Sequence, residues 1–135
     1  MKKNFKKLIS IILLLVIIAS VLSTTVSARY QYIGILGVGL SIDPSSGWAA
    51  CSGYLVPSNY STSNYLTVEL QKSYMNTWVK DTSWIDSSTN GHSITIGGYK
   101  YVARGTYRVV ATAWIYNAYG TLLEKEDIIS YVVTY

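Results

Sequence analysis

The fold is decided by residues 105–116, which read GTYRVVATAWIY. From Tyr107 to Ile115 every second residue is apolar or aromatic. Since successive side chains of a strand point to opposite faces, this alternation predicts a strand with one face in a core. The turn-forming residues 117–120, NAYG, follow directly and predict a hairpin into a last strand that covers residues 122–135.

The same period of two recurs along the rest of the chain, in segments separated by turn residues. Three earlier segments show it, residues 30–42, 48–56 and 66–71. The glycines of the first predict a bent or bulged strand. A further strand carries Trp78 and Trp84 on one face, and Asn90-Gly91 after it predicts a tight turn, because both central residues need positive φ. Gly97-Gly98 fits either a second tight turn or a bulge in one long strand. About seven to eight strands predict an all-β fold, a single antiparallel β-sandwich.

The N-terminal segment has the layout of a secretory signal. Four lysines among the first seven residues precede an apolar run, Leu8–Leu22, and small polar residues follow. Val26 and Ala28 suit the −3 and −1 positions of a signal-peptidase site. This predicts a signal-peptide helix in residues 1–28 and one domain in residues 29–135. The alternative is an uncleaved anchor, but the run is shorter than the roughly 20 residues that span a bilayer. We expect a secreted, extracellular protein whose membrane contact is through the signal peptide only.

The formal charge of +4 belongs to this segment, because 11 basic residues minus its four lysines leave seven, against seven acidic residues. A neutral domain lacks the basic surface that nucleic acid requires, so nucleic-acid binding is excluded. The single cysteine, Cys51, excludes an internal disulfide framework and a multi-cysteine zinc site. The alternation around Cys51 predicts a buried, inert thiol. An intermolecular disulfide or a reactive thiol is the alternative.

Candidates for catalysis or for metal binding are few. His92, the only histidine, lies beside Gly91 in a predicted turn and is expected to be exposed. The acidic residues are scattered apart from the run 124–127, EKED, which predicts a solvated sheet edge protected by charge. A calcium site there is the alternative, although the usual ligand spacing is missing. Glycines 34, 37 and 39 lack the following helix of a phosphate loop. We expect no catalytic residue, no metal, no cofactor and no enzymatic activity.

Aromatic residues are in surplus, since residues 29–135 hold all 13 tyrosines and all four tryptophans. A core of this size does not bury so many rings, so some are expected on the surface. Strand parity and loop position select the candidate ligand-binding residues Tyr54, Tyr60, Tyr65, Tyr116 and Tyr119. An exposed tyrosine has a flat apolar face and a polar tip, which suit stacking on sugars or contact with proteins. The alternative is that these rings only pair with one another across the sheet surface.

Residues 105–109, GTYRV, resemble the tyrosine corner of immunoglobulin-like sandwiches, in which the phenolic hydroxyl bonds to backbone a few residues upstream. The resemblance implies an immunoglobulin-like β-sandwich with Trp78 as the core tryptophan of the third major strand. Unlike antibody domains, the chain has no cysteine pair. With its lysine- and isoleucine-rich signal, and with Leu70-Gln71 ahead of residues 78–84, the chain also resembles an uncharacterised family of small secreted proteins of low-GC Gram-positive bacteria. That family implies no activity.

Two functions are expected from these observations. The first is a non-enzymatic binding or interaction module that acts through surface aromatics at the cell envelope or in the medium, with an extracellular protein or glycan as its partner. The alternative is a small secreted antagonist, bacteriocin-like or membrane-active, because the glycine-rich apolar segment 33–40 could insert into a bilayer. The sequence leaves the oligomeric state open.

Overall fold

The computed structural model of the chain describes residues 31–59 and 62–135, and these form eight β-strands and no helix. The strands are β1 (Ile33–Ile42), β2 (Trp48–Pro57), β3 (Ser63–Tyr74), β4 (Thr77–Ser88), β5 (Ile94–Tyr101), β6 (Thr106–Tyr116), β7 (Leu122–Ile129) and β8 (Val133–Thr134). The all-β prediction and the strand number are confirmed. No helix of membrane-spanning length and hydrophobicity occurs in these residues. The predicted signal peptide, residues 1–28, lies outside the described residues.

The strands form two antiparallel sheets with one core between them. The three-stranded sheet has the order β1-β2-β5, and the five-stranded sheet has the order β4-β3-β6-β7, with β8 paired to β6 beyond the end of β7. Buried side chains from both sheets join in a single cluster. The architecture is therefore sandwich-like, with inward-facing residues of each sheet alternating with outward-facing ones.

Strand β6 lies at the centre of the five-stranded sheet, between β3 on one side and β7 and β8 on the other. Its inward face is fully buried, as the alternation predicts, at Tyr107, Val109, Ala111, Ala113 and Ile115. The same face of the neighbouring strand β3 is equally buried, at Leu66, Val68 and Leu70. The small residues let the other sheet approach closely, because a Cβ atom added to Gly53 of β2 would collide with Val68.

The tyrosine-corner hydrogen bond is present. The Tyr107 hydroxyl donates to the carbonyl oxygen of Ala103 at 2.7 Å, four residues upstream. The ring itself is buried, with 1% of the residue exposed. A buried phenol needs such a partner, because burying an unpaired hydroxyl is costly. The bond therefore fixes the connection between β5 and β6 against the end of the core.

Strand β5 is unbroken across Gly97-Gly98. It pairs with β2 in continuous register, Ser52 opposite Gly97 and Cys51 opposite Gly98. Both expected alternatives, the second turn and the bulge, are therefore wrong. Instead, glycine is required at both positions because neighbouring atoms approach the backbone closely there. A Cβ atom on Gly97 would collide with the Cys51 carbonyl, and one on Gly98 would lie 2.6 Å from Nε1 of Trp84.

Trp78 is not a core tryptophan, and the prediction that placed it in the third strand is wrong. It lies on β4, an edge strand, where it is half-buried and its ring is covered by the Arg108 guanidinium at 4.3 Å. The reason is a β-bulge, since Leu70 pairs with Thr82 but Gln71 pairs with Lys80. One extra residue reverses which face the following side chains occupy. Trp84, on the other side of the bulge, does pack against the core.

The bulged residue, Asp81, has a structural use. Its carboxylate accepts a bond from Nζ of Lys100 on β5 at 3.2 Å, so it joins the edges of the two sheets.

On the opposite side of the sandwich the predicted last strand is interrupted between β7 and β8. There the hydroxyl of Ser130 accepts the Val109 N–H at 2.9 Å, and the hydroxyl of Tyr131 donates to the Leu40 carbonyl at 2.9 Å.

The turns and the first strand agree with the sequence. Asn90 and Gly91 both have positive φ, 57° and 66°. The register of β1 against β2 shifts between Ile33 and Ile35, which is the predicted irregularity in the first strand.

Cys51 is buried, and burial together with the charge of Asp81 raises the pKa of its thiol to about 11. A thiol with that pKa stays protonated and inert near neutral pH.

Candidate functional site

Exposed aromatic side chains lie on the outer faces of both sheets, and the predicted binding residues are divided between these faces. We call the outer surface of β1-β2-β5 the three-strand face and that of β4-β3-β6-β7 the five-strand face. Tyr54 lies on the three-strand face, whereas Tyr65 and Tyr116 lie together on the five-strand face. Tyr119 is at the tip of the β6–β7 turn and is 94% exposed. Tyr60 lies outside the described residues.

The five-strand face carries a groove of about 520 Å³, the five-strand groove. It is lined by Ser63, Tyr65, Ile85, Trp114, Tyr116, Asn117, Ala118 and Gly120. Strand register produces this group, since Tyr65 of β3 lies directly opposite Trp114 of β6, and Ser63 opposite Tyr116. Residues directly opposite on one face have adjacent side chains. Tyr65 and Tyr116 pack edge to face with ring centroids 5.6 Å apart.

The wall of the groove at the β6–β7 turn is rigid. The side-chain oxygen of Asn117 accepts the N–H groups of Tyr119 and Thr121, each at 2.9 Å. Gly120 has a φ of +80°, in the left-handed region that glycine adopts without strain. Tyr119, at the tip of this turn, is not among the residues that line the groove.

The five-strand groove has no charged side chain in its lining. A charge beside these rings is Lys125 of β7, whose Nζ lies 5.6 Å from the centroid of the Trp114 ring. A cation at this distance is attracted by the ring face. Lys125 therefore lies near Trp114, which lines the groove together with Tyr65 and Tyr116.

The three-strand face carries a second groove, of about 720 Å³, which we call the three-strand groove. Its floor consists of small outward-facing residues, Gly39, Ser41, Ala50, Ser52 and Gly97. Tyr99 and Tyr131 also line it, and each is more than two thirds exposed. Tyr54 lies beside this floor, with its ring laid across Gly37 of β1, where an added Cβ atom would collide with it.

Three exposed aromatics of this face, Trp48, Tyr99 and Tyr101, escaped the sequence prediction. Trp48 and Tyr101 face each other across β2 and β5 and pack edge to face, with centroids 6.1 Å apart. The exposure of Tyr99 and Tyr101 could have been predicted, because on an unbroken strand their side chains point to the face opposite Ile94 and Ile96. It was missed because a turn or a bulge at Gly97-Gly98 would have changed the face that these tyrosines occupy.

Neither groove is lined by a histidine or an acidic residue. His92 is exposed in the connection between β4 and β5, as predicted. Nowhere in residues 31–59 and 62–135 do three or more His, Cys, Asp or Glu side chains gather closely enough to hold a metal ion. The glycine-rich segment 33–40 lies inside β1, with Ile33, Leu36 and Leu40 in the core.

The acidic run on β7 has a role that the sequence did not predict. The carboxylate of Glu124 accepts the backbone N–H groups of Gln31, Tyr32 and Ile33 at 2.8–3.0 Å. Asp127 is exposed, as expected for a solvated edge, but Glu124 is half-buried against the start of β1. The prediction of a purely solvated edge is therefore wrong at Glu124, because a distant segment supplies its partners.

Comparison of the chain with protein-family models, with curated proteins and with solved structures finds no match in any of the three. The resemblance to small secreted Gram-positive proteins therefore stays a prediction, and the two grooves are the structural features that bear on function.

Proposed function

We propose that the protein is a secreted, non-enzymatic binding module that holds an extracellular protein or glycan in the five-strand groove. One observation carries the proposal, namely that Tyr65, Trp114 and Tyr116 converge on one groove from adjacent strands. Rings presented by paired strands are held in position before a ligand arrives, so little side-chain entropy is lost on binding. The lysine-rich, apolar N-terminus supports export of the domain.

The proposal includes an immunoglobulin-like arrangement of the sandwich. In the lettering of such domains, β1-β2-β5 would correspond to strands A-B-E, and β4-β3-β6-β7 to C′-C-F-G. The bond from the Tyr107 hydroxyl to the Ala103 carbonyl supports this assignment, because a tyrosine at the start of strand F makes it in that class. The five-strand groove would then lie on the outer face of the C′-C-F-G sheet.

The only cysteine and the only histidine fit a binding role better than a catalytic one. The Cys51 thiol is buried with a raised pKa, so it is a poor nucleophile. His92 is exposed in a turn, where the backbone carbonyl of His92 accepts a bond from the Ser88 hydroxyl. Neither side chain lines the five-strand groove.

A binding screen with paired variants tests the proposal. The intact protein is screened against a glycan array and isolated peptidoglycan, and is cross-linked to extracellular proteins. For any ligand found, Tyr65→Ala and Tyr116→Ala should each raise the dissociation constant about tenfold, since exposed tyrosines dominate such contacts. Tyr74→Ala is the control, because Tyr74 is an exposed strand tyrosine that lies outside both grooves.

Two results would contradict the proposal. One is the absence of any ligand in all three screens. The other is a ligand whose affinity is the same for Tyr65→Ala, Tyr116→Ala and Tyr74→Ala. Circular dichroism and melting temperature of each variant show whether a lost affinity reflects the groove or the fold.

A further inference from the structure

The geometry points to a second binding site, in the three-strand groove, for a neutral oligosaccharide. No residue that lines this groove is charged at neutral pH, since its side chains are aliphatic, hydroxyl-bearing, thiol or phenolic. An anionic or cationic polymer would lose its hydration there without gaining an opposite charge. A ligand that is both uncharged and rich in hydroxyl groups fits the lining. The inference is independent of the five-strand groove, which lies on the other sheet.

The hydroxyl groups of the face form a diagonal across its three strands. Ser41 of β1 pairs with Ala50 of β2, and Ser52 is two residues beyond Ala50 on the same strand. Two residues beyond Ser52 is Tyr54, which pairs with Thr95 of β5. All three side chains are exposed, and within the described part of the chain none of their hydroxyls has a protein partner. They are free to exchange bonds with the hydroxyls of a sugar.

The aromatic rings occupy the two ends of the opposite diagonal. At one end the Tyr54 ring lies across Gly37, and at the other Tyr99 rises from β5 beside Ala50. Ser52 is at the centre, and its Oγ lies over Gly39, where an added Cβ atom would be 2.7 Å from it. The four residues that separate Tyr54 from Ala50 along β2 span about 13 Å. The two rings are also offset across the strands, so they lie far enough apart for each to take a different pyranose of a short chain.

The absence of side chains from the floor is what makes room for the ligand. Gly39 and Gly97 flank Ser52 on either side, in direct register. The C–H faces of a pyranose would stack on the tyrosines, and its equatorial hydroxyls would reach the serine and threonine oxygens. Tyr131 borders the groove on the β1 side and is held there by its bond to the Leu40 carbonyl. The site is therefore formed before the ligand binds.

Titration calorimetry of the intact protein tests this site, with a panel of neutral hexose and N-acetylhexosamine oligosaccharides as the probe. At least one member should bind, and Tyr99→Ala and Tyr54→Ala should each weaken it about tenfold. Ala50→Trp, which fills the floor from an outward-facing position, should abolish binding. Tyr74→Ala is the control, because Tyr74 lines neither groove, and it should leave the affinity unchanged.

Several results would overturn the inference. Among them are no binding by any neutral oligosaccharide, binding that Tyr99→Ala leaves intact, and preferential binding of an anionic polysaccharide with a steep salt dependence. Loss of binding in Tyr65→Ala but not in Tyr99→Ala would place the sugar in the five-strand groove, supporting the proposed function while refuting this second site. A dimer in sedimentation that Ala50→Trp dissociates would show that a second copy covers the face, which also refutes it.

Discussion

Single polar atoms with specific partners hold the connections of this domain in place. The Tyr107 hydroxyl fixes the start of β6 through the Ala103 carbonyl, and the Asn117 side chain orders the β6–β7 turn. The hydroxyls of Ser130 and Tyr131 pair with backbone at the interruption between β7 and β8. No buried side-chain nitrogen or oxygen among the described residues lacks a partner.

Tyr107→Phe is expected to lower the free energy of unfolding by about 1 to 3 kcal/mol, because the corner hydrogen bond is lost while the buried ring is retained. Urea unfolding followed by tryptophan fluorescence measures this. Tyr74→Phe removes an exposed hydroxyl with no protein partner among the described residues and should change stability by less than about 0.5 kcal/mol. Equal stability of the two variants would show that the corner bond does not stabilise the fold.

At the scale of strands and turns, the local sequence pattern predicts which side chains are buried, whereas the register between distant strands decides which side chains meet. Alternation alone predicts the buried face of β6 correctly, because a period of two follows from strand geometry. It fails at Trp78, since nothing near Trp78 in the sequence announces the bulge opposite Leu70 and Gln71. Tyr65 and Tyr116 could be selected from parity, but their contact with Trp114 depends on how β3 pairs with β6. That register is set by residues about 50 positions apart in the sequence.

The β1–β2 turn gives a prediction about pH. The Asp43 carboxylate accepts bonds from the Ser46 hydroxyl at 2.7 Å and from the N–H and hydroxyl of Ser45, which lower its pKa from 3.8 to about 2. Because the folded-state pKa is the lower one, the contribution of the turn to stability is complete above about pH 4. It is lost as the pH falls through 2.

NMR titration of the side-chain carboxyl of Asp43 measures this directly. The midpoint should lie near 2 in the native protein and should move toward 3.8 in Ser46→Ala, because the Ser46 hydroxyl has the largest effect. Ser58→Ala, remote from the turn, is the control. A native midpoint close to 3.8 would mean that the serines do not hold the carboxylate in solution.

For the whole molecule, the closing contacts between the two sheets lie at opposite edges. One edge is closed by the Asp81–Lys100 pair and by Trp84 against Gly98. The other is closed by Glu124, whose carboxylate binds the backbone where β1 begins. The order of strands in each sheet, and hence these contacts, cannot be read from alternation, because pairing between distant strands leaves no local pattern. Both groove floors depend on that order.

Glu124→Gln is expected to lower the free energy of unfolding by about 1.5 to 3 kcal/mol. Hydrogen bonds to a charged acceptor become weaker bonds to a neutral one, and the NH₂ group of the glutamine would face backbone N–H donors, from which it cannot accept a bond. Amide hydrogen exchange should increase at Tyr32 and Ile33 more than in β3. Asp127→Asn, on the same strand but exposed, is the matched control. Unchanged exchange at Tyr32 and Ile33 would show that the carboxylate does not secure β1.

The bonds of Glu124 also bear on how the chain acquires its structure during synthesis. They join residues 91 to 93 positions apart, so the first strand emerges long before the carboxylate that will hold it. In the interval β1 can pair with β2 and can face β3, β4 and β6 once these are made, but nothing yet holds its start, at Tyr32 and Ile33, on the edge of the sandwich. Contacts at such separation form slowly, and an uncovered strand edge can pair with another chain. A nascent chain that stops before β7 would therefore be exposed to aggregation at its N-terminal strand, and completion of the C-terminus ends that risk.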